Sequence, residues 1–368
     1  MKKLSIIGIG KLGLCFALTL EKHGYNVLGV DLLQSYVDLI NTKQYRSSEP
    51  GLNDLLDKSK QFRATTSMRE AVEHSDTLFV IVATPSLPDG RYSHAQVDSV
   101  IQKLKEIGRQ ETQKNLVITC TVMPGYCDSI KDQLLELNYV VSYNPEFIAQ
   151  GTILRDQENP DMVLIGEANK TSGDLLQEIY ETHTVNKPKF ARMTPLEAEI
   201  TKIGLNCFLT TKIAYANMVG DIVKKAGGNP DTVLSAIGSD SRVGNKFLKY
   251  GYGFGGPCLP RDGRALGIFA KDLDMPSKIS NAADESNKLH LQEQIKFFKN
   301  ENKDKLKTVK FDSVTYKQES NLIEESQQLL FAVGLAKEGY KVVINERKDV
   351  VEEVKKIYGD LFQYEVKD

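Results

Sequence analysis

Cys258 lies in the segment GFGGPCLPRD, where a glycine-rich loop gives way to a helical pattern flanked by Pro257 and Pro260. A thiol at a helix N-terminus has its thiolate stabilised by unpaired backbone N–H groups and by the helix dipole. That makes Cys258 the candidate nucleophile of the chain. Asp262 follows it by four residues, one helical turn further on. Lys202 and Asn206 are four apart in a long helical pattern and share a face, and the apolar period before Lys202 points it inward. Glu146, in YNPEFIAQG, comes directly after a predicted strand. A nucleophile, a cation beside a developing oxyanion and a general base are what an acyl intermediate requires. Spacing alone leaves plainer readings open, since Lys202 and Asn206 also fit solvated helix positions.

The remaining cysteines carry less. Cys15 and Cys207 read as small core residues. With Cys120 and Cys127 the count is five, an odd number, and no pair has C-x-x-C spacing. Neither a disulfide framework nor a zinc site is expected, and a reducing compartment fits. No histidine has a partner at metal-ligand spacing, so no metal is expected. His74, His94, His183 and His290 are expected at the surface, and His23 precedes a helix-ending Gly24.

A second site is written near the N-terminus. Gly8, Gly10 and Gly13, with Ile9, Lys11 and Leu12 between them, form G-x-G-x-x-G after a predicted strand and at the start of a predicted helix. The first glycine allows the tight turn, the second the approach of a pyrophosphate, the third close packing of helix on strand. The anion then meets backbone N–H groups at the helix N-terminus. Asp31 ends the next apolar strand, about 20 residues on, where a carboxylate binds a ribose 2′-hydroxyl and favours NAD over NADP. Thr84-Pro85 and Thr121 stand at further strand ends, where open α/β sheets bind ligands. A lone threonine there also reads as a helix cap.

These residues need a scaffold that gathers strand ends and helix starts. LSIIGI, YNVLGVD, TLFVIVAT, NLVITCTV and YVVSYNP predict strands, with helical periods such as LGLCFALTLEKHG between them. That alternation predicts a parallel sheet covered on both faces. From Thr194 one long amphipathic helix runs to the Gly227-Gly228 breaker, and PDTVLSAIGSD begins with a proline suited to a first turn. The charged stretch ENKDKLK reads as a solvated connection. Beyond it KTVKFDSVTYK and KVVINE predict strands, and SNLIEESQQLLFAVGLAKEGY and VVEEVKKIYGDLF predict helices. The expected class is α/β, with a Rossmann-like domain over 1–193, a helical central domain over 194–290 and an abbreviated Rossmann-like α/β domain over 291–368.

A chain of 368 residues with 41% hydrophobic content is long for one core. Its net charge of −2 supplies no basic field for nucleic acid or an anionic membrane. Gly8, Gly10 and Lys11 interrupt the N-terminal apolar run, which reads against a secretory leader. No run approaches the roughly 18 apolar residues that span a bilayer. A cytoplasmic location is expected.

Together these segments resemble the UDP-glucose/GDP-mannose dehydrogenase family. GIGKLGL…GVDLLQSYVDLINTKQYRSSEPGL is similar to the family's NAD-binding half, with its EPGL turn at 49–52. TPSLPDGRYS resembles the TP-x-x-x-x-DG loop and CTVMPG the STVPPG loop. YNPEFIAQGTILRDQENPDMVLIG resembles NPEFLAEGTAI-x-DL-x-NPDRVLIG. ITKIGLNCF is similar to the K-x-x-x-N helix, and GNKFLKYGYGFGGPCLPRD to N-x-FL…GFGG-x-C-x-x-KD. The match runs to Leu266.

The resemblance implies an NAD-binding domain, a helical middle that makes a homodimer, and a C-terminal nucleotide-sugar domain. It implies a four-electron oxidation of the sugar C6 alcohol to a carboxylate. Cys258 would form a thiohemiacetal and then a thioester, Glu146 would be the base for hydrolysis, and Thr121 would help order the water. Lys202 and Asn206 would stabilise oxyanions at C6, and Asp262, with Lys202 and a water, would take the first proton. Phe147, Ile148, Ala149, Asn245, Phe247, Leu248, Lys249, Tyr250 and Gly255 match sugar-nucleotide contacts. Arg261 matches a cofactor contact, and Arg242 an arginine that reaches the neighbouring subunit's site.

Departures are Cys120 for the usual serine, Gln150 for an acid, and Arg261 for a lysine. In the tail, VTYKQESNLIEES stands where the family has FK-x-x-T-D-D-x-R-x-S, so Lys317 takes the place of the lysine and Glu324 that of the arginine. The wording PEFIAQGTI and NPDMVLIG favours UDP-glucose, giving UDP-glucuronate. Alternatives are GDP-mannose or another UDP-hexose, a two-electron β-hydroxyacid dehydrogenase that needs no cysteine, and a protein that binds NAD and a UDP-sugar without turnover.

Overall fold

The apolar runs of the first half become strands, buried along most of their length because helices cover both faces. The computed structural model describes residues 2–303, 308–317 and 320–367. The chain divides into two units, Met1–Lys202 and Ile203–Asp368. In the first, the strands are β1 (Lys3–Ile7), β2 (Asn26–Val30), β3 (Arg63–Thr65), β4 (Thr77–Val80), β5 (Lys114–Ile118), β6 (Tyr139–Tyr143), β7 (Met162–Gly166) and β8 (Lys189–Met193). The helices are α1 (Lys11–Lys22), α2 (Gln34–Asn41), α3 (Leu52–Lys58), α4 (Met68–His74), α5 (Ala95–Ile107), α6 (Tyr126–Leu135), α7 (Ile153–Glu158) and α8 (Lys170–His183).

The sheet order is β3-β2-β1-β4-β5-β6-β7-β8. Neighbours are parallel except β6 and β7, which meet antiparallel at Tyr143 and Gly166. The order reverses between β1 and β4, the switch point where doubly wound sheets bind ligands. Side chains alternate between faces. Ile6, Phe79 and Val117 pack with α1, α2, α3, α7 and α8, and Ile7, Leu78 and Leu116 with α4, α5 and α6. Strands β3, β7 and β8 add to the five expected. RAT is only three residues, and KFARM is a partly exposed edge strand with little apolar pattern. TLFVIVAT and NLVITCTV stop being strand at Val80 and Ile118, and the rest of each bends into the loops that carry Thr84 and Thr121.

The helix α9 (Pro195–Lys225) is continuous over 31 residues. The second unit continues with α10 (Pro230–Ser239), α11 (Leu259–Asp272) and α12 (Lys278–Glu301). Asn229 caps α10 by accepting the Asp231 and Thr232 N–H groups, with Pro230 in the first turn. Among the described residues from 195 to 301 there is no strand. The charged connection expected at 301–307 lies mostly outside the described residues.

Then follow β9 (Thr308–Phe311), α13 (Gln327–Lys337), β10 (Lys341–Glu346), α14 (Lys348–Tyr358) and β11 (Gln363–Val366), forming a parallel sheet of order β11-β10-β9. Its core gathers Phe311, Val314, Leu329, Ile344, Val350 and Val354. Three details correct the sequence reading of this tail. The first strand ends at Phe311. The helix starts only at Gln327, because Ser326 accepts the Leu329 N–H and caps it (3.3 Å). QYEV adds a third strand.

Two expected surface histidines are buried. His183 is fully enclosed beside Phe16, His23 and Tyr180. His290 bridges the Asp221 carboxylate (2.8 Å) and the Gly251 carbonyl (2.7 Å).

Candidate active site

At the end of β1 the chain turns at once into α1. Gly8 has φ +90°, and a Cβ there would lie 2.3 Å from the Ile81 carbonyl oxygen, so the turn requires glycine. At Gly13 a Cβ would lie 2.0 Å from the Gly8 oxygen, so α1 packs on its own entry turn. At Gly10 a Cβ would meet nothing within 4 Å, leaving open space on that side. Gly10 also leaves the first-turn N–H groups of α1 without a side-chain cap, the arrangement that receives a pyrophosphate. Around this turn Ile9 is buried, its carbonyl accepting the Tyr36 hydroxyl (2.8 Å), while Lys11 reaches Ser48 and Leu12 packs against the core. Asp31 follows β2 directly, and its carboxylate accepts the Leu33 N–H (3.2 Å). These residues fit a dinucleotide with an unmodified ribose.

Two further loops at strand ends are joined. The Thr84 hydroxyl donates to the Thr121 carbonyl (2.7 Å), and Pro85 is exposed. His94 Nε2 accepts the Met123 N–H (3.1 Å). Glu199, wholly buried on α9, accepts the N–H groups of Gly125 (2.5 Å) and Cys127 (2.9 Å) at the start of α6. The CTVMPG loop is thus tied to α9 three residues before Lys202.

The segment after β6 is held equally firmly. The buried Glu49 carboxylate accepts the N–H groups of Gly151 (2.9 Å) and Ile153 (2.8 Å), and Asp156 accepts that of Ala149 (3.2 Å). Ile148 packs against the core. Lys202 donates to the Glu146 carbonyl (2.5 Å), and its ammonium stands 4.3 Å from the centre of the Phe147 ring. The Glu146 residue keeps some surface, yet the protein strips water from its carboxyl group and raises its pKa to about 7. The Tyr180 hydroxyl, 3.1 Å away, and the Lys202 charge pull the other way. A carboxyl group poised near neutrality is suited to proton abstraction at physiological pH.

The second unit carries the thiol. Cys258 is the N-cap residue of α11 and is exposed, whereas the other four cysteines are buried. Burial pushes the thiols of Cys120 and Cys207 up to about 12, which leaves them inert. Asp262 donates its N–H to the Cys258 carbonyl (2.9 Å), closing the first turn of α11. Its carboxylate is wholly buried and accepts from Asn206 (2.6 Å) and from Arg261 (3.2 Å). The loop before Cys258 is packed by the tail. Tyr316 fills the space where a Gly256 side chain would go, and the Gly256 N–H donates to the Glu324 carbonyl (3.1 Å). A Cβ at Gly255 would lie 2.2 Å from the Glu325 oxygen, and Arg264 clamps the Glu325 carboxylate (2.7 and 2.9 Å). Glu324, standing where the resemblance has arginine, grips the loop with its backbone.

The residues matched to sugar-nucleotide contacts separate into two groups. Asn245, Phe247 and Lys249 are exposed, and Phe247 has φ +61°, a costly conformation for an aromatic residue. Arg242 is exposed and pairs with Asp240 (2.7 Å). Leu248, by contrast, packs with Ala216 and Leu234, and the Tyr250 hydroxyl donates to Asp221 (2.9 Å). Lys317 accepts at its carbonyl from the Thr315 hydroxyl (2.9 Å) and the Ser320 N–H (3.0 Å). Sequence reasoning gave no role to Tyr180, Glu199 or Tyr316, and read Glu49 only as part of a turn. The one available signal was an acid set within apolar neighbours, as in LEAEI.

A dinucleotide cradle at the switch point of a doubly wound sheet, in a chain that also presents a capping thiol and a near-neutral carboxyl group, defines an NAD-dependent oxidoreductase. Family comparison sharpens this. Residues 2–184 match the NAD binding domain of the UDP-glucose/GDP-mannose dehydrogenase family, and residues 196–289 match its central domain. GDP-mannose 6-dehydrogenase of Pseudomonas putida is 30% identical over 93% of this chain and 80% of its own length. UDP-glucose 6-dehydrogenase of Rickettsia bellii is 31% identical over 77% of this chain and 66% of its own. The solved UDP-glucose dehydrogenase of Pyrobaculum islandicum superposes with a TM-score of 0.88 at 27% identity, covering 100% of this chain and 86% of that one. The chain belongs to the UDP-glucose/GDP-mannose dehydrogenase family. Among the described residues no helix is long and apolar enough to cross a membrane.

Proposed function

We propose that the chain oxidises the C6 alcohol of UDP-glucose to the carboxylate of UDP-glucuronate in two hydride transfers, with Cys258 carrying the intermediate. The observation that carries this reading is the exposed Cys258 at the N-cap of α11, with the buried Asp262 one turn behind it and bonded to Asn206. Bound NAD would supply the hydride acceptor, one molecule for each of the two steps.

Asp262, with Lys202 and a water, takes the alcohol proton in the first oxidation. The Cys258 thiolate then adds to the aldehyde carbon, and the resulting thiohemiacetal keeps the aldehyde from escaping. Lys202 and Asn206 donate to the C6 oxyanion. After the second oxidation the thioester is opened by a water that Thr121 helps order and Glu146 deprotonates, and the Cys258 sulfur leaves.

Purified protein given UDP-glucose should form two NADH per sugar, and Cys258→Ser should block completion. One NADH per sugar would sink the thioester route. GDP-mannose is the second substrate reading, favoured by the similarity to GDP-mannose 6-dehydrogenases. A coupled NADH assay over UDP- and GDP-sugars separates the two. Insensitivity of turnover to thiol alkylation would favour a two-electron β-hydroxyacid reaction instead.

The proposal includes a homodimer built on α9. Phe208 (62% exposed), Tyr215, Met218 and Ile222 (61%) follow one another at helical spacing and form an exposed apolar stripe. A second copy is the occupant proposed, with Arg242 serving its site. Sedimentation equilibrium showing only monomer at micromolar concentration would remove this part.

A further inference from the structure

Asn144, Glu146, Asp156, Gln157 and Tyr180 line a small cavity. The space open to water centres is about 10 Å³, room for about one molecule. Gln157 is 1% exposed, and neither its Oε1 nor its Nε2 has a hydrogen-bond partner. Fully buried His183 makes no hydrogen bond of ordinary geometry, and the Gln157 backbone carbonyl is the polar group nearest to holding its ring. Its ring lies near the Gln157 backbone, 5.9 Å from the Tyr180 ring and 5.7 Å from the His23 ring. His23 is partly exposed and reaches Glu158 (3.1 Å), which also takes Lys22. An orphaned buried polar group costs about 1–3 kcal/mol, so the two Gln157 amide atoms call for ordered water.

Tyr180 joins this seam to Glu146. Its hydroxyl has a single hydrogen and two neighbours, Asn144 Oδ1 at 2.8 Å and Glu146 Oε1 at 3.1 Å. Asn144 donates its Nδ2 to the Leu164 carbonyl (2.9 Å), which turns Oδ1 toward Tyr180 as an acceptor. While the Tyr180 hydrogen rests on Asn144, the contact with Glu146 closes only when Glu146 is protonated and donates. When Glu146 is ionised, the hydrogen turns to it. The hydroxyl is thus placed to serve either partner, according to whether Glu146 holds a proton.

We infer that water held by Gln157, together with Tyr180, His183 and His23, forms an exit through which the proton collected by Glu146 reaches solvent beside Glu158. The inference rests on the reading of Glu146 as the hydrolytic base. In that step a C–O bond to C6 forms, the C–S bond breaks, and no electrons change hands. Of the protons released by the water, one ends on the Cys258 sulfur and the other leaves with ionisation of the product. Glu146 must be emptied once per turnover, and the side that receives the attacking water is then occupied by substrate. The exit supplies a route that substrate does not block. The groups acting on the Glu146 carboxyl are Tyr180 from α8 and Lys202 from α9, while Asp156 from α7 lines the same cavity with its carboxylate held by Ala149, Thr152 and Arg155. Burial pushes His183 down to about 4, so it stays neutral near pH 7 and passes a proton by exchanging tautomers instead of storing it.

A crystal structure of the wild-type chain should show ordered water bridging the Gln157 amide to Tyr180 or Glu146, and a further ordered water within reach of a His183 nitrogen. A dry cavity overturns the inference. Kinetically, His183→Phe and Gln157→Leu should slow steady-state NADH formation from UDP-glucose about tenfold or more, with acyl-enzyme accumulating. Added imidazole should restore much of the His183→Phe rate, which a purely structural lesion would not allow. Unchanged rates in both variants, or losses that no buffer restores, count against the exit. If the wild type itself forms no NADH from any nucleotide sugar, the substrate reading fails, and the crystallographic result alone decides this one.

Discussion

Glu146 and Asp262 are both enclosed carboxylic acids, but the protein surrounds them differently. Each oxygen of Asp262 has its own donor, Asn206 on one side and Arg261 on the other. Glu146 has one shared hydroxyl at 3.1 Å and a lysine that donates to its backbone carbonyl. Desolvation then dominates and lifts Glu146 to about 7. On the proposed mechanism, that difference suits one kind of side chain to two duties. Donors on both oxygens fix an acid's orientation, while a sparsely donated, water-poor setting makes an acid change protonation near neutrality.

The sharpest way to break this contrast is Glu146→Gln. Glutamine keeps the shape but cannot take a proton, so thioester hydrolysis should fall by about 10²–10⁴-fold. Mass spectrometry should then find the acyl group on Cys258 after one round of NADH formation. Full turnover in this variant would remove Glu146 from the mechanism. Asp262→Asn should cost less, on the order of 10²-fold, and should act on the first hydride step. It also sets an amide against the Asn206 amide and leaves Arg261 without its carboxylate. Rapid-mixing traces should show a slow first NADH with hydrolysis unaffected. A variant that stalls as acyl-enzyme instead would reverse the two roles.

The Glu146 side of the comparison also predicts a stability signature. His183 is held at about 4 against an ordinary 6.5. Between those values the unfolded chain binds the extra proton, so stability falls as pH drops through this window, by about 3 kcal/mol in all. Glu146, raised from 4.5 to about 7, acts with the opposite sign: the native state binds the extra proton, and that contribution is lost as pH rises. The two nearly cancel in the wild type. His183→Phe removes one of them. The variant should therefore gain on the wild type by about 2–3 kcal/mol between about pH 7 and about pH 4.5 in urea unfolding. A difference that stays constant with pH means His183 is not held neutral.

What the sequence disclosed follows from how local each cause is. Gly8 and Gly13 were legible because the atoms that exclude a side chain belong to the same strand–turn–helix motif or to the strand beside it. Glu146 and Cys258 were legible as a strand end and a helix start. Tyr180 was not, because its partner Glu146 lies 34 positions away, and Glu49 acts on Gly151 at a separation of 102. His183 looked like an exposed helix residue because the Phe16 ring that covers it comes from α1. The start of α13 was misread for the same reason. SNLIEES has helical composition, but its backbone is recruited by Gly256 from a distant loop.

The smallest expected effect tests the finest part of the contrast. Tyr180→Phe removes one hydroxyl and keeps the ring, which packs 6.2 Å from the Phe16 ring. When its hydrogen points to Glu146, that hydroxyl stabilises the ionised base, so its loss should raise Glu146 above about 7. The acidic limb of kcat should move to higher pH by under about 1 unit, with a several-fold loss near pH 6 that fades in alkali. Asn144 Oδ1 loses its donor as well, at a cost of about 1–3 kcal/mol that urea unfolding reads separately. The two losses need not travel together. If stability falls while the pH limb stays put, the Tyr180 hydrogen rests on Asn144 throughout, and Glu146 owes its pKa to burial and Lys202 alone.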